Sequence, residues 1–217
     1  PTIKDRYSAR MGTALANPDL KPEVANHLEL GLSGKPWQGG KGQAAVFYSR
    51  VRDQIQTMVV DSTACGGTTC NQAQNVGRTR NIGFELSLAQ QLSAQWAVHA
   101  GYTYLSRTNL SDRSIILTDT PRQRLTAAVQ WNPQAQWQLR AELEAEQGRK
   151  VPLSASGQSQ VYQMAGYGTV NLRARYLPRP DTTLDFGVAN VGDKWYQLAD
   201  GLPMPGRSWY VNLGYRF

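Results

Sequence analysis

The sequence predicts an all-β chain folded as an antiparallel up-and-down transmembrane β-barrel, and three observations lead there. The last nine residues put Trp209, Val211, Leu213, Tyr215 and Phe217 on one face and Tyr210, Asn212, Gly214 and Arg216 on the other. That is the period-two pattern of a strand with one apolar and one polar face. Earlier stretches repeat it, and their connections run short, long, short, long, as periplasmic turns and extracellular loops do in outer-membrane barrels. Aromatic residues also gather near strand ends (Trp96, Tyr104, Trp131, Trp137, Tyr176, Trp209 and Tyr215), where interfacial girdles would sit.

The composition fits this reading. The 217 residues suffice for one large β domain or a piece of a bigger one. Mean hydropathy is −0.48. No apolar run is long enough for a membrane helix, but barrel strands expose only every second residue to lipid and read as hydrophilic on average. The chain begins Pro-Thr-Ile-Lys, with no Met and no charged-then-apolar leader. It is expected to be a part excised from a longer precursor. The net charge of +7 comes from scattered Lys and Arg with no basic run, so no nucleic-acid partner is expected.

Taken in order, residues 1–22 contain Gly12, Pro18 and Pro22 and read as loop, with the end of an earlier strand near Ile3 to Ser8. In 23–33, Leu28, Leu30 and Leu32 oppose His27, Glu29 and Gly31. After a short connection at 34–42, the 43–55 stretch sets Ala45, Phe47 and Val51 against Tyr48, Arg50 and Arg52. A long connection (56–78) precedes Ile82, Phe84, Leu86 and Leu88. A short turn leads to Trp96, Val98, Ala100, Tyr102 and Tyr104, and a polar loop covers 106–120. Leu125, Ala127, Val129 and Trp131 lead through Asn132-Pro133 to Trp137, Leu139, Ala141, Leu143 and Ala145. The opposite face of this last strand, Gln138, Arg140, Glu142, Glu144 and Glu146, is too charged for an ordinary core. After a loop at 147–160 come Val170, Leu172, Ala174 and Tyr176, a short turn with Pro178 and Pro180, and Leu184, Phe186 and Val188. A long connection at 191–207 precedes the last strand. These are about nine strands of membrane-spanning length, with no helix among them. A soluble sandwich or lipocalin-like barrel shares the alternation but not the loop rhythm or the terminal Phe.

Two cysteines occur as Cys65-Gly-Gly-Thr-Thr-Cys70. Without a neighbouring His, a disulfide stapling an exposed loop in an oxidising compartment is favoured over a metal site.

Four segments stand out: Asn17-Pro-Asp-Leu-Lys-Pro-Glu23, Asn75 through Gly83-Phe84-Glu85, Val188-Ala-Asn-Val-Gly-Asp-Lys-Trp-Tyr196, and Gly206-Arg207 before a strand ending in Phe217. Together they resemble the TonB-dependent outer-membrane receptors. Gly192 departs from the pattern, standing where the family usually has Phe. The resemblance spans nearly the whole chain. It implies that residues 1–217 are the C-terminal portion of the barrel, about nine to ten strands of a larger one with ~22 strands and a plugged lumen. The plug domain, the segment that contacts TonB and the first barrel strands would then lie outside this sequence. Those strands would have to be supplied by another piece, since an open sheet cannot sit in lipid with two unpaired edges.

The resemblance further implies an outer-membrane receptor for a ferric siderophore or related chelate, with haem and cobalamin as less common cargoes. No enzyme activity and no cofactor are implied. The lumen face near the extracellular strand ends offers Arg52, Arg122, Arg124 and Tyr167, with Arg6 and Arg10 from the first loop, as groups that could steer an anionic chelate. The alternative for each arginine is a pairing with a plug or loop carboxylate. His27 and His99 lie on the lumen face away from loop tips, which argues against haem. They also lack the flanking groups a hydrolase would need. A passive porin or adhesin is the remaining alternative. Finally, with Leu172 and Phe186 toward lipid, Arg173, Arg175 and Asp185 should share the lumen face, flanked by Glu142 and Glu144.

Overall fold

The computed structural model describes residues 1–7, 14–60, 70–152 and 161–217. A one-turn helix α1 (Ile3–Tyr7) and a two-residue β1 (Ala14–Leu15) precede the long strands β2 (Val24–Gly34) and β3 (Gly40–Arg52). Short β4 (Ile55–Val60) and β5 (Cys70–Asn75) stand between β3 and β6 (Thr79–Gln91). Next come β7 (Trp96–Asn109), β8 (Gln123–Trp131) and β9 (Trp137–Gln147). The hairpin of β10 (Lys150–Pro152) and β11 (Val161–Gln163) leads to β12 (Tyr167–Arg179) and β13 (Thr182–Ala189). The hairpin of β14 (Gln197–Ala199) and β15 (Leu202–Pro203) precedes β16 (Ser208–Tyr215).

Nine strands form one sheet in the order β16-β13-β12-β9-β8-β7-β6-β3-β2. Chain neighbours are sheet neighbours throughout and every pair is antiparallel, the topology of an up-and-down barrel. The small β1-β5-β4 sheet and the two hairpins all lie in the long connections, on the side opposite the C-terminus. The edge strands β2 and β16 are exposed along their whole length, so the described sheet is a partial barrel.

Register makes the two faces explicit. One outward row runs Val98, Val129, Ala141, Leu172, Val188, Trp209, and the next runs Trp96, Trp131, Leu139, Ala174, Phe186, Val211. The Trp96–Trp131 rings stack at 5.3 Å and those of Trp137 and Tyr176 at 4.5 Å, forming the periplasmic girdle. Residues with nothing but solvent above them, such as Leu30 (74% exposed), are those an aqueous fold would hide and a bilayer covers.

On the inward face Arg175 lies directly opposite Asp185, and Arg173 lies on the diagonal. Asp185 accepts from Arg175 Nε at 2.9 Å and from Arg173 Nη2 at 3.0 Å. The expected placement of this triad therefore holds. Two inward glycines are required by close approach. The Phe47 ring covers Gly83 and the Tyr210 ring covers Gly187, leaving no room for a Cβ at either.

Some expectations fail. The strand end expected near Ile3 to Ser8 is absent from its described part: Ile3–Tyr7 is helical, with the Thr2 hydroxyl accepting from Asp5 N at 3.2 Å and the Asp5 carboxylate accepting from Thr2 N at 2.8 Å, and Ser8 lies outside the described residues. Pairing of β1 with β5 is parallel. The faces of β3 are reversed, because Leu28, Leu30 and Leu32 sit opposite Tyr48, Val46 and Ala44. Ala44, Val46 and Tyr48 therefore face outward and Ala45, Phe47 and Val51 inward. Both faces of β3 carry apolar residues, so only its neighbours' register decides the matter. Glu142 and Glu144 pair with Arg140 and Arg124 rather than with Arg173 or Arg175.

Candidate functional site

The inward wall is charged and its charges are paired. Arg124 on β8 lies directly opposite Glu146 on β9, with Glu144 on the diagonal. Its guanidinium reaches Glu144 at 2.7 Å and Glu146 at 3.8 Å. Arg149, just past the end of β9, contacts the other oxygen of Glu146 at 2.6 Å. Tyr167, at the start of β12, lies opposite Glu146 from the other side and stacks on Tyr196 at 4.1 Å. The result at the extracellular end is an aromatic pair beside an Arg-Glu-Glu-Arg cluster. Below it a groove of about 640 Å³ follows the wall past Glu85, His99, Arg140 and Asn171. This surface can meet a polar, charged or aromatic solute. Among the described residues no cluster of three or more His, Cys, Asp or Glu could hold a metal ion.

Of the residues named from sequence, Arg124 and Tyr167 come together here. Arg6 does not, because its Nη2 donates to Leu20 O at 2.9 Å and ties α1 to the loop. Arg52 shares the outward face of β3 and lies opposite Val24, so its assignment to the lumen is corrected by the reversed register. Arg122 turns away as well: Nη2 and Nε donate to the hydroxyl of outward-facing Tyr104 at 2.7 and 3.2 Å, with the guanidinium 5.3 Å from its ring centroid. Arg10 and Cys65 lie outside the described residues. Cys70, the first residue of β5, is disulfide-bonded. Sequence reasoning did not assign Arg149, Glu146 or Tyr196 to the site, although Glu146 stood on the charged face of its strand and Tyr196 in a quoted motif. The alternating Glu142, Glu144 and Glu146 were a visible sign that cationic partners had to lie within reach.

The quoted motifs act as clasps for the extracellular loops. Asn17 Nδ2 donates to Ala73 O at 2.8 Å, and Asn75 exchanges hydrogen bonds with Lys21 at 2.9 and 3.0 Å. Glu23 accepts from Ile55 N at 2.5 Å and Gln54 Nε2 at 2.6 Å, and Leu20 is buried between them at 1% exposure. This locks the loop before β2 onto the β4–β5 hairpin. In the last loop Asn190 adopts φ of 51°, its Oδ1 accepting from Lys194 N at 2.9 Å and its Nδ2 donating to Lys194 O at 2.8 Å. Asp193 accepts from Arg207 N at 2.7 Å. Tyr162 donates to Asp200 at 2.9 Å, joining the last two extracellular hairpins. Burial, then the carboxylates of Glu144 and Glu146, push the Tyr196 phenol above its ordinary range.

Comparison with known proteins agrees with this geometry. The family described as "TonB dependent receptor-like, beta-barrel" matches residues 1–191. The vitamin B12 transporter BtuB of Vibrio cholerae is 24% identical over 223 residues, covering 100% of this chain and 33% of the transporter. The solved copper transporter OprC superposes with a TM-score of 0.76 at 23% identity, over 92% of this chain and 32% of its own. The siderophore receptor PirA of Acinetobacter baumannii gives 0.73 at 19% identity, over 94% and 33%. The chain thus spans about a third of the length of the curated relatives it matches. On the family match and this fold together, the chain belongs to the TonB-dependent receptor β-barrels of the Gram-negative outer membrane.

Proposed function

We propose that residues 1–217 are the C-terminal part of an active importer whose cargo is a ferric siderophore or similar iron chelate, energised through TonB. A plug domain and the remaining strands would complete the transporter. The observation that carries this reading is the extracellular end of the inner wall, where the stacked Tyr167 and Tyr196 adjoin Arg124 and Arg149. Guanidinium groups attract an anionic chelate, and aromatic faces can pack against its aryl or apolar parts. Both arginines are paired with carboxylates, so cargo would have to exchange with those pairs on binding. A second reading, cobalamin, is favoured by the B12 transporter that aligns with the whole chain.

The test is uptake by the full-length receptor in cells lacking their own siderophore receptors. Labelled ferric chelates and labelled cobalamin are offered with TonB present or deleted. Chelate accumulation that disappears without TonB is the expected result. Accumulation that persists without TonB would establish a passive porin, and uptake of cobalamin alone would establish the second reading.

A further inference from the structure

The inward wall carries a like-charge contact at mid-depth. Arg173 on β12 lies directly opposite Arg140 on β9, an arrangement that repels and that no other pair on the inward face of the described sheet repeats. By contrast, Arg124 stands opposite Glu146 and Arg175 opposite Asp185. The carboxylates around Arg140 and Arg173 are drawn off to either side. Glu142, two residues further up β9, accepts from Arg140 Nε at 2.6 Å. Asp185 contacts Arg173 at 3.0 Å and Arg175 at 2.9 Å. Three guanidinium groups thus share two carboxylates, which leaves one positive charge in excess. The other neighbours, Gln130 opposite Arg140 and Gln138 opposite Arg175, are neutral. With side-chain exposures of 48% for Glu142 and 12% for Asp185, Glu142 is the carboxylate free to swing into the lumen.

A groove joins this level to the extracellular cluster. Arg140 is six residues below Glu146 on β9. That is about 20 Å along the strand and, at a tilt of about 40°, about 15 Å along the membrane normal. The groove of about 640 Å³ spans the interval, with Arg124 and Glu144 on its upper part and Arg140 on its lower part. Gly101 and Ala128 line it between these levels, and their lack of bulk keeps the space open. Glu85 faces the groove from β6, so an anion inside it is held to the β9 side, where the guanidinium groups stand. A solute that moves inward from the cluster along this wall meets Arg140 and Arg173 next.

We infer that Arg140 and Arg173 form a second station for an anionic iron chelate inside the barrel, occupied after the cargo leaves the Arg124–Tyr167 cluster and before it reaches the periplasm. The inference rests on the iron-chelate cargo proposed above. A multiply charged anion between the two guanidinium groups turns their repulsion into attraction, each planar fork offering parallel donors to a pair of oxygens. Glu142 competes for the Arg140 fork, so the anion is held and then released. The pair lies below the site of capture and acts on passage alone. An uncharged solute gains nothing from it.

The test uses the full-length receptor in cells lacking other siderophore receptors, with TonB present. Two probes are offered, a trianionic ferric tris-catecholate and an uncharged ferric trihydroxamate. Binding is measured on energy-depleted cells and initial uptake on energised ones, which separates capture from passage. Arg140→Gln/Arg173→Gln should keep the dissociation constant for the trianion within twofold of wild type and lower its maximal uptake rate at least tenfold. Uptake of the uncharged chelate should not change, and barrel folding is checked by heat-modifiable gel mobility. Arg140→Lys/Arg173→Lys, which keeps both charges, should recover most of the lost rate. Arg124→Gln, in the capture cluster, should show the opposite split, with weaker binding and the maximal rate kept. Glu142→Gln removes the competitor and should raise the maximal rate for the trianion at least twofold. Unchanged trianion uptake by the folded double glutamine variant, an equal slowing of both chelates, or no rise in Glu142→Gln overturns the station. The Glu142→Gln result decides the question even if the double variant does not assemble. A wild type that imports only the uncharged chelate also overturns the station but leaves iron import in place, whereas import of neither chelate removes the proposed function itself.

Discussion

Leu172 and Arg173 are adjacent on β12, and exchanging the character of each separately measures which face meets lipid. Leu172 lies midway between Tyr176 in the periplasmic girdle and Gly168 near the extracellular end. Four residues each way is about 13 Å along the strand and about 10 Å along the normal at a tilt of about 40°, which puts Leu172 near the midplane. An arginine there costs about 2–4 kcal/mol in a barrel. Arg173 points inward with a side chain 40% exposed, and it shares Asp185 with Arg175. Arg173→Leu leaves the Arg175–Asp185 contact at 2.9 Å intact, so the loss is that of one solvent-screened pair, about 0–1 kcal/mol. Leu172→Arg should therefore destabilise the full-length receptor in lipid vesicles by about 2–3 kcal/mol more than Arg173→Leu. At about 1.4 kcal/mol per decade this is roughly a 30- to 150-fold difference in the folding equilibrium. Urea titration followed by tryptophan fluorescence reads the difference. Equal destabilisation, or a Leu172→Arg variant as stable as wild type, would refute the assignment of faces.

Two further outcomes concern the loops. Asn190→Ala removes the side-chain bonds to Lys194 and puts a β-carbon residue without a local hydrogen bond at φ of 51°. This should loosen the last extracellular loop by about 2–3 kcal/mol, seen as faster hydrogen exchange over 190–207 with the strands unchanged; unaltered exchange would show that Asn190 is no clasp. Tyr162 is held above the ordinary tyrosine range by burial and then by its bond to Asp200. A folded pKa above the unfolded value means that its contribution is fully present below about pH 10 and is lost as pH rises through the folded value. Absorbance at 295 nm should show late-titrating tyrosines, Tyr196 among them, whose late amplitude Tyr162→Phe lowers by one phenol; an unchanged late amplitude in that variant would reassign the signal.

Much of this fold is legible in the chain because barrel strands expose their two environments at alternate residues. The nine long strands, their sequential pairing, the side on which the long loops emerge and the inward Arg173–Arg175–Asp185 group all follow from period two and short turns. Short turns fix register locally, so a count of two along β12 and β13 suffices to place Asp185 beside Arg175. The sequence by itself determined these features.

Tertiary structure decided what depends on partners far along the chain. Residues 44–48 are apolar at both parities, and the Leu28-Leu30-Leu32 row of β2 with the Ile82-Phe84-Leu86 row of β6 selects Ala44, Val46 and Tyr48 as the outward set. That choice moves Arg52 out of the lumen and leaves Arg50 facing Arg80. The fate of each charge is likewise a cross-strand matter. Arg122 goes to Tyr104 and Arg124 to Glu144, although both arginines start the same strand region. The family motifs gave no sign that they would serve as loop clasps, since Asn17 finds Ala73 and Asn75 finds Lys21 only once the hairpin of β4 and β5 has folded over them. Alternation along a strand is a local property set by the backbone's two-residue repeat, whereas a hydrogen bond or ion pair across strands depends on register between segments tens of residues apart, and only the assembled sheet specifies that.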